Sequence, residues 1–147
     1  VAVRKDGEWV PTIKVSESPE KTINPGYKHV WRLYDRRAKA TADLLSLEDE
    51  DPRGQDPLLL HHPTEHMTYR LLRQEEISEV EPLLVDILRE GQQVYDFPSI
   101  EEMRRMREAD LARLDPGVRR LINPHRYHVS LTERLWNLKQ ELIRSAR

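Results

Sequence analysis

The spacing of apolar residues changes along this chain, and that change limits the folds open to it. In the first two thirds, apolar residues tend to alternate with polar ones, clearly in 29–34 and less cleanly in 40–47. Alternation is typical of strands with one buried face. From Ser99 onward, apolar residues recur every three or four positions, which is the period of a helix. The sequence therefore predicts an α+β fold, in which antiparallel β segments are followed by amphipathic helices.

Turn signals divide the first part into hairpins. Asp6-Gly7 favours a tight turn between strands over 1–3 and 9–15, because both residues tolerate a positive φ. A further strand is predicted over 68–72, and a second hairpin over 83–95 around Glu90-Gly91. We expect the acidic, turn-rich residues 48–57 to form a solvated linker.

Capping signals mark the helices of the last third. Ser99 with Glu102 forms a capping box, which starts a helix that ends near Asp115-Pro116. That Asp-Pro pair predicts a short second helix ending before Asn123-Pro124. Ser130 with Glu133 suggests a third start, before the leucine stripe that ends the chain. We therefore divide the chain into a mostly β segment, 1–97, with a basic loop and the acidic linker 48–57, and a helical segment, 98–147.

Composition excludes several classes of function. The formal charge of the 147 residues is -2 and charges of both signs are interspersed, so we expect no nucleic-acid partner. No apolar run approaches the roughly 20 residues of a membrane span, so no membrane partner is expected. The chain has no cysteine, which excludes disulfides and thiolate metal sites and fits a cytoplasmic location.

Few side chains suggest chemistry. His61, His62 and His66 are close in sequence, but no second cluster completes a metal site, so we expect a solvated loop and no metal. The paired carboxylates lie in polar surroundings and predict exposed faces and caps. No nucleophile has an evident partner base, and we assign no catalytic residue.

The basic loop is the exception. Lys14, Lys21, Lys28 and Arg32 surround the turn at Asn24-Pro25-Gly26. Lysines fixed near backbone donors can bind a phosphate as point charges, so we name Lys14, Lys21 and Lys28 as candidate phosphate-binding residues. The alternative is that these lysines are a solvated strand edge that discourages pairing between sheets.

Several motifs resemble the nicotinate phosphoribosyltransferase family, in the same order and over nearly the whole chain. The matching stretches are 16–21 with Pro25-Gly26, 30–32, 80–84 with Gly91-Gln92 and Pro98-Ser99, and 123–132 with Leu135. No one of these is diagnostic, but four in register make coincidence a poor explanation. The resemblance identifies the chain as the C-terminal portion of such an enzyme.

The resemblance implies more than the residues themselves do. The family's type II phosphoribosyltransferases are dimers with an incomplete α/β barrel and a smaller mixed domain. They transfer ribose phosphate from phosphoribosyl pyrophosphate to nicotinate, with ATP and Mg²⁺, through a phosphorylated histidine. These parts should precede Val1, so we expect 1–147 to form one C-terminal domain, to be inactive alone, and to have the missing barrel portion and a homodimer partner as its partners.

One residue role is carried over by resemblance. Lys14 matches a lysine that approaches phosphates at the dimer-interface active site of related nicotinamide-using enzymes, with Lys21 and Lys28 as weaker candidates. Two other functions stay open from the sequence: a stand-alone interaction module, and a small subunit of a split enzyme.

Overall fold

The computed structural model describes residues 2–65 and 67–146. Strands β1 (Ala2–Lys5) and β2 (Glu8–Pro11) form the predicted first hairpin, in antiparallel register. Asp6 and Gly7 have φ of 51° and 88°, as a turn with two left-handed residues requires. The second strand ends at Pro11, four residues earlier than predicted. Val1 lies outside the described residues.

Six strands form the main sheet, in the order β6-β5-β10-β4-β3-β7. Neighbours pair antiparallel except β10 and β4, which are parallel. The bounds are β3 Lys28–Asp35, β4 Ala40–Leu47, β5 Leu58–His61, β6 Tyr69–Leu72, β7 Ile77–Pro82 and β10 His128–Leu131. The second predicted hairpin, over 83–95, is present in shortened form as the antiparallel pair β8 (Leu88–Arg89) and β9 (Gln92–Gln93).

The α+β fold class is confirmed, with particular errors. Strands were predicted at β3, β4 and β6 but not at β5, β7 or β10. The sequence predicts a helix cap at Ser130, because this residue stands three positions before Glu133. It lies instead in β10, and the cap is Thr132, whose hydroxyl accepts the N–H of Leu135. The segment 98–147 therefore supplies a strand as well as helices.

The main sheet is strongly curled. Its two edge strands, β6 and β7, are consecutive in sequence and joined by residues 73–76 alone. The edges of a flat sheet of six strands would lie roughly 24 Å apart, since strands are spaced about 4.8 Å. The chain from Leu72 to Ile77 spans at most about 18 Å when fully extended. The sheet must therefore curve until its edges approach, although it does not close.

The concave face of this curl holds the main apolar core. Side chains from both edges of the sheet meet there, with Leu72 of β6 in the same cluster as Ile77 and Val80 of β7. The buried members are Trp31, Leu33, Ala42, Leu44, Leu58, Leu60 and Leu72. The one polar group of Trp31, its indole N–H, donates to the buried Ser46 hydroxyl at 2.9 Å.

The convex face is covered at one end by helix α2 (Glu133–Ser145). Leu135 and Trp136 of the helix pack with Leu131 of β10 against Leu45 and Leu47 of β4. The terminal amphipathic helix is thus confirmed.

Helix α1 (Ile100–Arg113) begins as predicted. The Ser99 hydroxyl accepts the Glu102 N–H, and the Glu102 carboxylate accepts the Ser99 N–H. Its apolar residues, however, are not buried against the sheet: no residue of α1 is buried. Among the described residues, neither helix is long and apolar enough to cross a membrane.

The predicted short helix after Asp115-Pro116 is absent, and turns occupy 116–119. The Asp115 carboxylate accepts the Gly117 N–H at 2.7 Å, which ties the segment into a local turn. A side chain that bonds nearby backbone in this way competes with helix formation.

The acidic linker is less solvated than predicted, because Glu50 is buried within it. Its carboxylate accepts the Leu47 N–H at 2.7 Å and the Thr132 hydroxyl at 2.8 Å. Since Thr132 caps α2, this one carboxylate joins the end of β4 to the start of the last helix.

We expect Glu50→Ala to lower the free energy of unfolding by about 2–4 kcal/mol, because it leaves a buried N–H and a buried hydroxyl without an acceptor. Urea denaturation measures the change. Glu48→Ala, at an exposed position two residues away, is the matched control and should change stability by less than about 0.5 kcal/mol. Equal stability of the two variants would contradict the joining role of Glu50.

Candidate functional site

The basic loop runs from the end of β2 to the start of β3. Lys14 lies in its first part, outside any helix or strand, and is exposed. Lys21 ends a single 3₁₀ turn, Pro19–Lys21, and is also exposed. The loop thus presents both ammonium groups to solvent, from different local structures.

Lys28 is placed differently. Its ammonium donates to the backbone carbonyls of Asn24, Pro25 and Gly26, at 3.1, 3.3 and 2.6 Å. An ammonium has three N–H donors, so these bonds use all of them. Lys28 therefore closes the turn before β3, and its charge is held by the backbone of its own loop.

Arg32, the fourth cation noted in the sequence, belongs to the sheet. Its guanidinium makes two bonds to Asp43 on the neighbouring strand, at 2.8 and 3.1 Å. The hydrogen bond to Asp43 holds the pKa of Arg32 well above its usual range. The Tyr127 hydroxyl donates to the same carboxylate at 2.9 Å, and burial raises the pKa of Tyr127.

A related network fastens the end of α1 to the convex face. The Arg113 guanidinium lies 3.6 Å from the centre of the Tyr34 ring and bonds Glu79 and Glu81 at 2.9 and 3.1 Å. Burial, with the hydrogen bond to Glu81, raises the pKa of Tyr34 to about 12. These charges are engaged with each other, which indicates a structural role for the network.

A cation missed in the sequence fixes the basic loop. Lys139 of α2 is 3% exposed, and its ammonium donates to three acceptors: the Pro63 carbonyl at 2.8 Å, the Asn24 side-chain oxygen at 2.9 Å and the Thr22 carbonyl at 3.4 Å. Burial lowers the pKa of Lys139. The sequence contained a signal for the burial of Lys139, since this residue falls within the leucine stripe of the terminal helix.

A cavity of about 180 Å³ lies between the loop and α2, with Lys139 in its wall. Ser16, Glu17 and Thr22 line it from the loop, and Trp136 from the helix. Lys139 and Lys28 thus fix the loop near its C-terminal end through their hydrogen bonds to residues 22–26. Lys14 and Lys21 lie in the part of the loop that precedes this fixed end. This arrangement can attract an anion through charge.

The adjacent histidines face opposite sides of the sheet. The His61 ring stacks on Trp136, 5.5 Å between centres and 6° between planes, and burial lowers the pKa of His61. The His62 ring instead bonds the backbone of residues 64 and 65. His66 lies outside the described residues. Within 2–65 and 67–146, no group of three His, Asp or Glu side chains could hold a metal ion.

We expect Lys139→Met to lower the free energy of unfolding by about 2 kcal/mol. Methionine keeps the apolar stem but leaves three acceptors without a donor, and this outweighs the gain from removing a buried charge. Urea denaturation gives the stability, and limited proteolysis should show faster cleavage within 12–24. Lys21→Met is the control, because an exposed lysine should cost less than about 0.5 kcal/mol. Unchanged stability and cleavage in Lys139→Met would refute the fixing role.

A family model described as the nicotinate phosphoribosyltransferase C-terminal domain matches residues 27–139. Nicotinate phosphoribosyltransferase of Homo sapiens is 36% identical over 135 residues, which cover 90% of this chain and 24% of that one. The enzyme of that name from Bacillus subtilis is 28% identical over 144 residues, covering 97% and 29%. The chain therefore spans about a quarter of the length of these relatives.

A solved structure gives the same likeness in three dimensions. The crystal structure of human nicotinic acid phosphoribosyltransferase superposes with a TM-score of 0.70 and 34% sequence identity. The superposition covers 81% of this chain and 23% of the human chain.

Proposed function

Because this chain belongs to the nicotinate phosphoribosyltransferase family, which acts in NAD biosynthesis, we propose that it is the C-terminal domain of such an enzyme. The whole enzyme would join nicotinate to phosphoribosyl pyrophosphate, with ATP and Mg²⁺, to give nicotinate mononucleotide. The observation that carries the proposal is the match of fold and sequence together, a TM-score of 0.70 at 34% identity. A cytoplasmic location is part of the same proposal and rests on the absence of cysteine.

In this proposal the domain is structural. Helix α1 has no buried residue, and a helix of 14 residues gains most of its stability from packing against other elements. Apolar side chains on and before it are exposed, as are those around the β8–β9 hairpin: Phe97, Ile100, Met103 and Met106, and Leu84, Val85, Leu88 and Val94. A surface of this kind indicates a partner. We assign that partner as the N-terminal barrel portion of the enzyme, in a homodimer, with the phosphorylatable histidine and nicotinate pocket in the barrel.

A small subunit or a stand-alone interaction module is the second candidate. The same exposed apolar surface favours it, because the surface could equally receive a separate chain. The two candidates differ in whether the barrel is encoded in the same reading frame.

The test begins with the coding sequence upstream of the Val1 codon. If the frame stays open through a barrel, the whole chain should form nicotinate mononucleotide from nicotinate and phosphoribosyl pyrophosphate, and residues 1–147 alone should not. Activity of the whole chain that survives deletion of 1–147 would contradict the structural role. A frame closed just upstream would favour the separate subunit or module.

Lys14 provides a test of the phosphate-binding hypothesis. In the whole enzyme, Lys14→Ala should raise the KM for phosphoribosyl pyrophosphate or ATP by roughly tenfold, because one charge-assisted contact to phosphate is lost. Stability should not change, since Lys14 is exposed. Steady-state kinetics and urea denaturation measure the two effects.

Lys5→Ala is the matched control, because Lys5 is an exposed lysine of β1 outside the basic loop. It should leave both KM values unchanged. Equal kinetics of Lys14→Ala and Lys5→Ala would remove Lys14 from the site, and the basic loop would then be a solvated edge.

A further inference from the structure

A second cavity, distinct from the one behind the basic loop, opens at one end of the curled sheet. Its volume is about 190 Å³. Ala42 and Leu60, which belong to the concave core, form its apolar floor. Its rim is polar and comes from β6, β10 and the turns beside them, with His62, Glu65, Arg70, Arg126 and Ser130. The open end of a curled sheet is a common place for a small-molecule site.

Two hydrogen-bond donors meet at this rim. The Nδ1 atom of His62 accepts the backbone N–H of Glu65 at 3.0 Å and of Thr64 at 3.3 Å. A ring nitrogen that accepts carries no proton, so the imidazole proton is on Nε2. That Nε2 lies 3.3 Å from Nη2 of Arg126, and a guanidinium cannot accept a hydrogen bond. The two N–H groups therefore face each other with no acceptor between them.

The nearest negative group does not satisfy them. The Glu65 carboxylate lies 3.6 Å from Nε2 of His62 and 4.0 Å from Nη1 of Arg126, both longer than a good hydrogen bond. Arg70 brings a second guanidinium, whose contact with the Thr41 hydroxyl is long at 3.5 Å. The rim thus carries two guanidinium groups and one loosely held carboxylate.

We propose that this cavity binds a small organic acid. Its oxyanion, a carboxylate or a phosphate, accepts from Nε2 of His62 and from the Arg126 guanidinium, which suits both groups. The carbon part of the ligand lies on Ala42 and Leu60. The volume suits a molecule of one ring or a few carbons. Glu65 competes with the ligand for the same donors. Binding of this acid does not require phosphoribosyl transfer.

The first experiment titrates the 147-residue chain with benzoate, its neutral isostere benzamide, and inorganic phosphate, by calorimetry. We expect benzoate or phosphate to bind at least tenfold more tightly than benzamide, and the better of the two identifies the oxyanion. Benzamide binding as tightly as the anions, or no binding of either anion, would overturn the proposal.

Variants locate the site. Arg126→Gln should weaken anion binding about tenfold or more, because a charge-assisted bond is lost. Glu65→Gln should strengthen it roughly threefold, because a competing carboxylate is removed. Arg134→Gln is the control, an exposed arginine of α2 paired with Asp49 at 2.9 Å, and should bind as the parent chain does. The site would be refuted if Arg126→Gln bound the anion as tightly as the parent chain, or if Arg134→Gln lost as much affinity as Arg126→Gln.

The tautomer of His62 is a separate readout. In ¹⁵N NMR of the free chain, the His62 ring should carry its proton on Nε2, and that signal should shift when the anion binds. A proton on Nδ1, or an unchanged signal at saturation, would overturn the donor geometry on which the proposal rests.

Discussion

The short connection between the two edges of the main sheet is the constraint on which the rest of the domain depends. Residues 73–76 cannot bridge a flat sheet of six strands. Curling follows, and it gathers leucines from β5 and β6 around Trp31 and Leu33 without a covering layer of helices. It also frees the convex face for α2 and for the end of α1, and it creates an open end where polar side chains of β6 and β10 meet.

Charged groups inside this fold serve mainly as connectors. Glu50 joins β4 to α2, Lys139 joins α2 to the basic loop and to Pro63, and Arg32 joins β3 to β4 through Asp43. Glu50 and Lys139 meet hydrogen-bonding groups from distant parts of the chain, and Arg32 meets Asp43 on the neighbouring strand. These bonds offset much of the cost of burying each charge. A sequence rich in charged residues can therefore fold around a modest apolar core, because several of its charged side chains hydrogen-bond one element to another inside the domain.

The sequence correctly predicted the structural features that are determined by residues close together in the chain. The alternation at β3 and β4, the Asp6-Gly7 turn and the Ser99 cap all depend on neighbouring residues, and the structure has them. The sequence-based prediction failed for strands that form only because they pair with a segment far away in the chain. The leucines of β5 have no alternation, and β10 is a strand because it pairs with β4, more than 80 residues earlier. The bonds from Lys28 to three carbonyls of its own turn could not be predicted either, because they depend on the path of the turn backbone, and phosphate binding by Lys28 stays a prediction. The His62–Arg126 contact joins residues 64 positions apart, so no local motif could reveal it.

The position of β10 has a consequence for how the domain forms. This strand is inserted between β4 and β5, in the middle of the sheet, yet it follows the other described strands in sequence and so leaves the ribosome after them. Until residues 128–131 emerge, β4 and β5 each present an unpaired edge, and the sheet around the concave core is interrupted between them. Contacts of such long sequence separation slow folding and leave hydrophobic strands open to other chains meanwhile. Synthesis of β10 thus acts as the closing step of the sheet, and a chain stopped short of β10 would contain β5–β6 and β3–β4–β7 as two separated β units rather than a smaller version of the domain.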